Sequence, residues 1–222
     1  MPLVSKFIKD KNNVAVWLIT EQCETLQKLL VIDNFHPFNN EKRNTHWLAA
    51  RIALQEVLPN KNFKLIKNIH GKPYTENNKG HVSITHSWSM AAAVFNAEDL
   101  CGIDLEKFDH RISKIAYKFS SQIETSLLPA DFYNTLCCLI WSGKETVFKY
   151  SPLIDIDFKE HIELIKIDTE KCILHFYFKK NDNICLDVNY KFYEVKNANA
   201  NEIGMINDNL MKEKEHYILT WI

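Results

Sequence analysis

The stretch His81–Glu106, HVSITHSWSMAAAVFNAEDLCGIDLE, concentrates more chemistry than any other part of the chain and sets how the rest is read. Val82, Ile84 and the run Ala91–Phe95 are apolar and suit β-strands, and Asn96–Asp99 has turn composition. Cys101–Glu106 then resumes an extended pattern, so the later part of the stretch is expected to be a hairpin. In an extended segment side chains two apart share a face. Asp104 and Glu106 therefore point one way, and Ile103 and Leu105 the other. Two carboxylates so placed repel unless water surrounds both or a cation lies between them, and a hard, oxygen-liganded ion such as magnesium is the natural candidate. A solvated sheet edge explains the pair as well. His86, between Thr85 and Ser87, reads either as a packing residue or as part of a donor cluster facing an anion such as phosphate.

Working outward toward the N-terminus, Val14–Thr20 is a strand candidate and Glu21–Leu30 has helical composition, with Leu26, Leu29 and Leu30 on one side. Asn39 or Asn40 can cap a helix that runs to about Leu58, where Pro59 stops it. Leu48, Ile52 and Gln55 follow its repeat, and Lys42, Arg43 and Arg51 make it positive: a solvated face, or part of an anion site. The segment from Lys64 to His81 turns at Gly71 and again at Asn77–Gly80, and Lys72 beside Pro73 sits in a stiff turn.

Beyond Glu106 comes a basic and polar segment. Ser121 and Glu124 then have capping-box spacing. Pro129 and Asp131 can open a long helix whose apolar positions are Phe132, Leu136, Leu139, Ile140 and Val147. Glu145 and Lys149 share one face of it, with Trp141 a turn earlier, either as a surface ion pair or as site residues. From His161 the period changes to two, in HIELIKI, CILHFYF, ICLDVNYKFYEV and HYILTWI. That pattern predicts an antiparallel sheet of about four strands, with Asn197–Asn209 as a polar connection.

A chain of 222 residues, 46% hydrophobic, can form one large domain or two small ones. Its formal net charge of -1 provides no global basic field, so nucleic-acid binding is not expected and an anion must be held by local groups. No apolar run has the length of a membrane span, and MPLVSKFIKD lacks the hydrophobic core of a secretory signal, so the expected address is cytoplasmic, without a membrane. The cysteines at 23, 101, 137, 138, 172 and 185 show no C-x-x-C spacing and read as free thiols. Phosphate-binding Gly loops, G-x-S-x-G and H-E-x-x-H are absent.

Four motifs in order, Gly71-Lys72-Pro73, Ser83–Ser87 (SITHS), Gly102–Glu106 (GIDLE) and Trp141–Lys149 (WSGKETVFK), resemble those of the 4'-phosphopantetheinyl transferases, in particular the larger surfactin-synthetase-activating type. The resemblance implies an α+β fold of two similar halves, residues 1–106 and 107–222, packed as an intramolecular pseudo-dimer with the site between them. It implies a monomer that transfers the phosphopantetheine arm of coenzyme A to a serine of an apo acyl or peptidyl carrier protein and releases 3',5'-ADP. Asp104, Glu106 and Glu145 match the magnesium ligands of the family. Glu145 also matches the residue that helps deprotonate the carrier serine, and Lys149 the one that contacts the phosphate and steadies the leaving group. Arg43, Lys72, Pro73, Thr85, His86, Ser87 and Lys144 fall at positions expected to contact coenzyme A, with Arg51 a further cation. Thr85 stands where the family often has serine, and Tyr150-Ser151-Pro152 follow Lys149 where many members have a glycine-containing loop. The competing reading is a non-catalytic module that binds coenzyme A or a carrier.

Overall fold

Asp10 and Lys11, at φ 50° and 64°, supply the positive-φ pair that a tight hairpin of ordinary strand twist requires. They fold β1 (Leu3–Lys9) against β2 (Asn12–Leu18). The second of these strands is the expected one, and the first forms in addition to it. A computed structural model describes residues 2–31, 35–76, 78–180, 183–208 and 214–222, so Asn77 and Asn209 of the expected polar connections lie outside the described residues. The fold is mixed α and β with antiparallel sheets, and it divides into two compact units, one ending at Leu105 and the other beginning at Glu106.

The first unit is built on the sheet order β1-β2-β6-β5, with β5 (His81–Ser87) and β6 (Met90–Asn96). Here the expected hairpin is corrected. Both edges of β6 are taken, by β2 and β5, so the strand after it has no edge to join. The hairpin is β5–β6, turning at Trp88 with φ 51°. The turn composition of Asn96–Asp99 is nevertheless genuine, because Asn96 Oδ1 accepts from the backbone N–H of both Glu98 and Asp99 at 3.0 Å. Gly80, at φ 128°, is needed for space as well as conformation: a Cβ there would meet the Asn96 carbonyl at 2.5 Å.

Two helices, α1 (Cys23–Leu29) and α2 (Glu41–Val57), complete this unit, with a ribbon of β3 (Leu65–Lys67) and β4 (Pro73–Thr75). Asn40 caps α2 by accepting from the Arg43 N–H at 3.0 Å. Leu48 and Ile52 are buried in the core with Ala15, Trp17, Ala91, Ala93 and Phe95, and the small alanines of β6 let the helix lie close to the sheet. Gln55 is buried for a different reason. Its amide accepts from the Val31 N–H and donates to the Leu29 carbonyl, tying down the end of α1.

The second unit carries the sheet order β7-β12-β10-β9-β8, with β11 paired to β10. Its strands are the end of β7 (Ile103–Lys107), β8 (Ile162–Asp168), β9 (Ile173–Phe178), β10 (Ile184–Lys196), β11 (Asn199–Ile203) and β12 (Glu215–Trp221). The four strands read from period two are all present. The polar connection expected from Asn197 is corrected in part, since β11 forms there and pairs with β10 from Phe192 to Lys196. Two short helices, α3 (His110–Lys114) and α5 (Phe158–His161), flank the long α4 (Tyr133–Tyr150). Gly143 lets α4 approach the sheet, because a Cβ there would lie 2.6 Å from the Phe176 ring.

Pro129 and Asp131 open the helical segment as expected, Pro129 preceding a 3-10 turn, Ala130–Phe132, that runs into α4. Asp208 adds a cap from 74 residues downstream, its carboxylate accepting from the backbone N–H of Asn134 at 2.9 Å and of Thr135 at 3.1 Å. The Ser121–Glu124 capping box is real, with reciprocal bonds of 3.2 and 2.7 Å, but it opens only a single 3-10 turn. Its glutamate has a second task. Glu124 Oε1 lies 2.7 Å from Lys144 Nζ, and the two side chains are 1% and 0% exposed. Burial lowers the Lys144 pKa, while Glu124 works against that shift.

Removing one partner of so buried a pair strands the other charge. Lys144→Met should therefore lose about 3–5 kcal/mol in denaturant unfolding, and adding Glu124→Leu to it should restore much of the loss.

Candidate functional site

The sequence placed Thr85, His86 and Ser87 in one donor cluster, and the structure divides them. Side chains alternate along β5, so Thr85 is buried on one face while His86 is exposed on the other. The Thr85 hydroxyl donates to Asp104 Oδ1 at 3.3 Å, and the hydroxyl of Ser83, two residues before it, accepts from the Ile103 N–H at 3.2 Å. These hydroxyls hold the start of β7, with Asp104 only 3% exposed. His86 instead stacks on His46 of α2, ring centroids 4.6 Å apart and 34° from parallel.

His46 is a residue that the sequence reading missed, although its i,i+4 spacing from Lys42 was a signal. Its Nε2–H donates to the Trp88 carbonyl at 2.5 Å, and burial, the largest effect, lowers its pKa. Lys42 Nζ lies 4.5 Å from the Trp88 ring, and the Arg43 guanidinium 4.2 Å from the Phe38 ring. Lys42 and Arg43 occupy the first turn of α2, where the helix dipole disfavours cations. An anion bound at that end would relieve both. Arg51 is turned to its own helix, 3.4 Å over the Trp47 ring, and burial pushes its pKa down to about 10.

The Gly71-Lys72-Pro73 turn is stiffened by Asn68. Its side chain accepts from the Lys72 N–H at 3.0 Å and its backbone N–H donates to the Lys72 carbonyl at 2.9 Å, with Gly71 at φ 80°. Lys72 is half-buried there, and burial pushes its pKa down to about 8.

In the second unit, Trp141, Glu145 and Lys149 form a partly exposed stripe along α4, whose neighbouring positions Ser142, Gly143, Lys144, Thr146 and Val147 are buried. The Trp141 indole N–H donates to Glu106 Oε1 at 2.9 Å. The GIDLE and WSGKE motifs, 35 residues apart at this contact, thus meet on one helix face. Lys144 departs from expectation. Its ammonium is spent on Glu124, on the Phe119 carbonyl at 2.7 Å and on the Phe158 carbonyl at 3.0 Å, so its three protons serve the interior of the unit and not coenzyme A.

Asp104 belongs to the first unit and Glu106 and Glu145 to the second. Among the described residues no group of three or more His, Cys, Asp or Glu is gathered as a metal ion would require. The donor chemistry itself suits a hard cation: these are carboxylates, and the hydroxyl and indole N–H that hold Asp104 and Glu106 are uncharged. No described helix is long and apolar enough to cross a membrane, and all the cysteines are free. The sequence matches no family model and no curated protein.

With a pKa of about 8, Lys72 loses its charge as pH rises through that value. An anion beside it favours the charged form, so binding of sulfate, a phosphate mimic that does not itself titrate here, should at pH 8 take up a fraction of a proton, and Lys72→Arg, charged throughout, should abolish the uptake. Calorimetry in buffers of different ionisation enthalpy measures this.

Proposed function

We propose that the protein is a magnesium-dependent 4'-phosphopantetheinyl transferase, acting on coenzyme A and an apo acyl or peptidyl carrier protein. The observation that carries this reading is the hydrogen bond from Trp141 to Glu106, which sets one acidic motif on the helix face that bears Glu145 and Lys149. The basic and imidazole cluster of Lys42, Arg43, His46 and His86 supports it from the nucleotide end, since phosphate is the anion such a cluster suits. Each unit sets one long helix, α2 or α4, against an antiparallel sheet, which favours the pseudo-dimer architecture and a monomer.

Asp104, Glu106 and Glu145 would hold the metal. A bound magnesium ion supplies positive charge at the coenzyme A pyrophosphate. Glu145 takes the proton from the carrier serine, directly or through a water, as the serine oxygen attacks the phosphorus that carries the pantetheine arm. The bond from that phosphorus to the bridging oxygen breaks, and 3',5'-ADP leaves with the electron pair. Lys149 donates to the phosphate oxygens, where negative charge grows. The cations at the start of α2 and Lys72 hold the nucleotide.

Incubation with coenzyme A, Mg2+ and a panel of apo carrier proteins, followed by intact mass, tests the reading. Some carrier should gain one phosphopantetheine. If none does, while coenzyme A still binds, the protein is a binding module. Asp104→Ala and Glu145→Gln should each lower turnover by at least about a hundredfold, with circular dichroism unchanged, because each removes a group that touches the reacting phosphate chemistry.

A further inference from the structure

The buried lysine and the indole form one assembly. Trp141 packs against two rings, Phe119 at a centroid distance of 5.1 Å and Phe158 at 5.6 Å, the first meeting it edge-on. Phe119 and Phe158 are also the residues whose carbonyls accept from Lys144 Nζ. One fully buried ammonium thus fixes the backbone behind both rings, and Glu124 anchors that ammonium while accepting from the Leu164 N–H of β8 at 2.9 Å. Phe148 in turn packs against Phe158, at 5.8 Å. An indole packed against two rings has little freedom to turn, so its N–H keeps one direction, toward Glu106 Oε1.

We infer that Trp141 is a positioning residue for the Glu106 carboxylate, held in its working orientation by the clamp of Phe119, Phe158 and Lys144. The inference rests on the transferase reading, in which Glu106 is a metal ligand. A carboxylate that keeps one oxygen on a rigid donor meets a cation with its orientation already set, so the cation does not have to order it.

Trp141→Phe keeps an aromatic ring and deletes the N–H. Mg2+ titrated into the coenzyme A complex should bind this variant about 10- to 100-fold more weakly than wild type. Its melting temperature should stay close to wild type, and excess Mg2+ should restore turnover. Phe158→Leu leaves the N–H but opens one side of the clamp, and should weaken Mg2+ binding in the same direction by a smaller factor. The indole resonance of Trp141 gives a readout that needs neither metal nor turnover: in Glu106→Ala it shifts from its wild-type position. An unmoved resonance, or wild-type Mg2+ affinity in folded Trp141→Phe, overturns the positioning role while carrier modification by the wild type still stands. A wild-type protein that binds no Mg2+ and modifies no carrier overturns the transferase reading and this inference together.

Discussion

An ammonium group without water must find three acceptors, and the second unit is arranged around that demand. Lys144 sits in the middle of α4 at a position facing the interior, where an alanine or leucine would suit the helix without further support. Its stem and charge instead draw in Glu124 and two carbonyls from separate segments, one before α4 and one after it. Neither segment has much secondary structure of its own, only single 3-10 turns and short helices. The buried charge supplies the order that hydrogen-bonded helix or sheet would otherwise give. A pair like this is a weak source of net stability compared with an apolar replacement, so its value lies in specifying where these segments lie.

The parts of the fold legible in the sequence were those decided locally. Asn40 caps α2 because its side chain reaches a backbone N–H three residues on, and that spacing is visible in the chain. β9 declares itself because one of its faces is buried and the other only partly so. What was not legible was decided at a distance. Asp208 caps the first turn of α4, and nothing around residue 131 shows that a carboxylate will arrive from far downstream. The strand after β6 could not join it because β2 already held that edge, a matter of topology and not of propensity.

The candidate site divides in the same way. Motif spacing named Glu106, Glu145 and Lys149, but their neighbourhood depends on Trp141, which entered the sequence reading only as a residue one turn earlier. Lys144 lies within the same motif, next to Glu145, and a helical turn of 100° per residue separates their destinations: one side chain enters the core and the other stays at the surface. Adjacent residues of a helix do not share a face, so a motif quoted as a string mixes interior and surface roles. His46 was passed over for the converse reason. Its partner His86 lies on a strand 40 residues further on, and the contact exists only once α2 has packed on the sheet.

The same lesson limits what a run of polar residues on a strand can mean. Thr85, His86 and Ser87 are consecutive, and a single anion cannot draw on all three side chains while β5 keeps its pleat. Burying Thr85 required a partner, which Asp104 supplies, and the hydroxyl of Ser83 takes the neighbouring backbone N–H. The hydroxyl face of β5 is therefore committed to holding the acidic strand in place. His86 is left to the opposite face with His46, near the end of α2 that carries Lys42 and Arg43. One strand thus supports an acidic group on one side and a basic cluster on the other. The backbone of β5 stands between the two, so Asp104, held by the Thr85 hydroxyl, is kept from pairing directly with the cations at the start of α2.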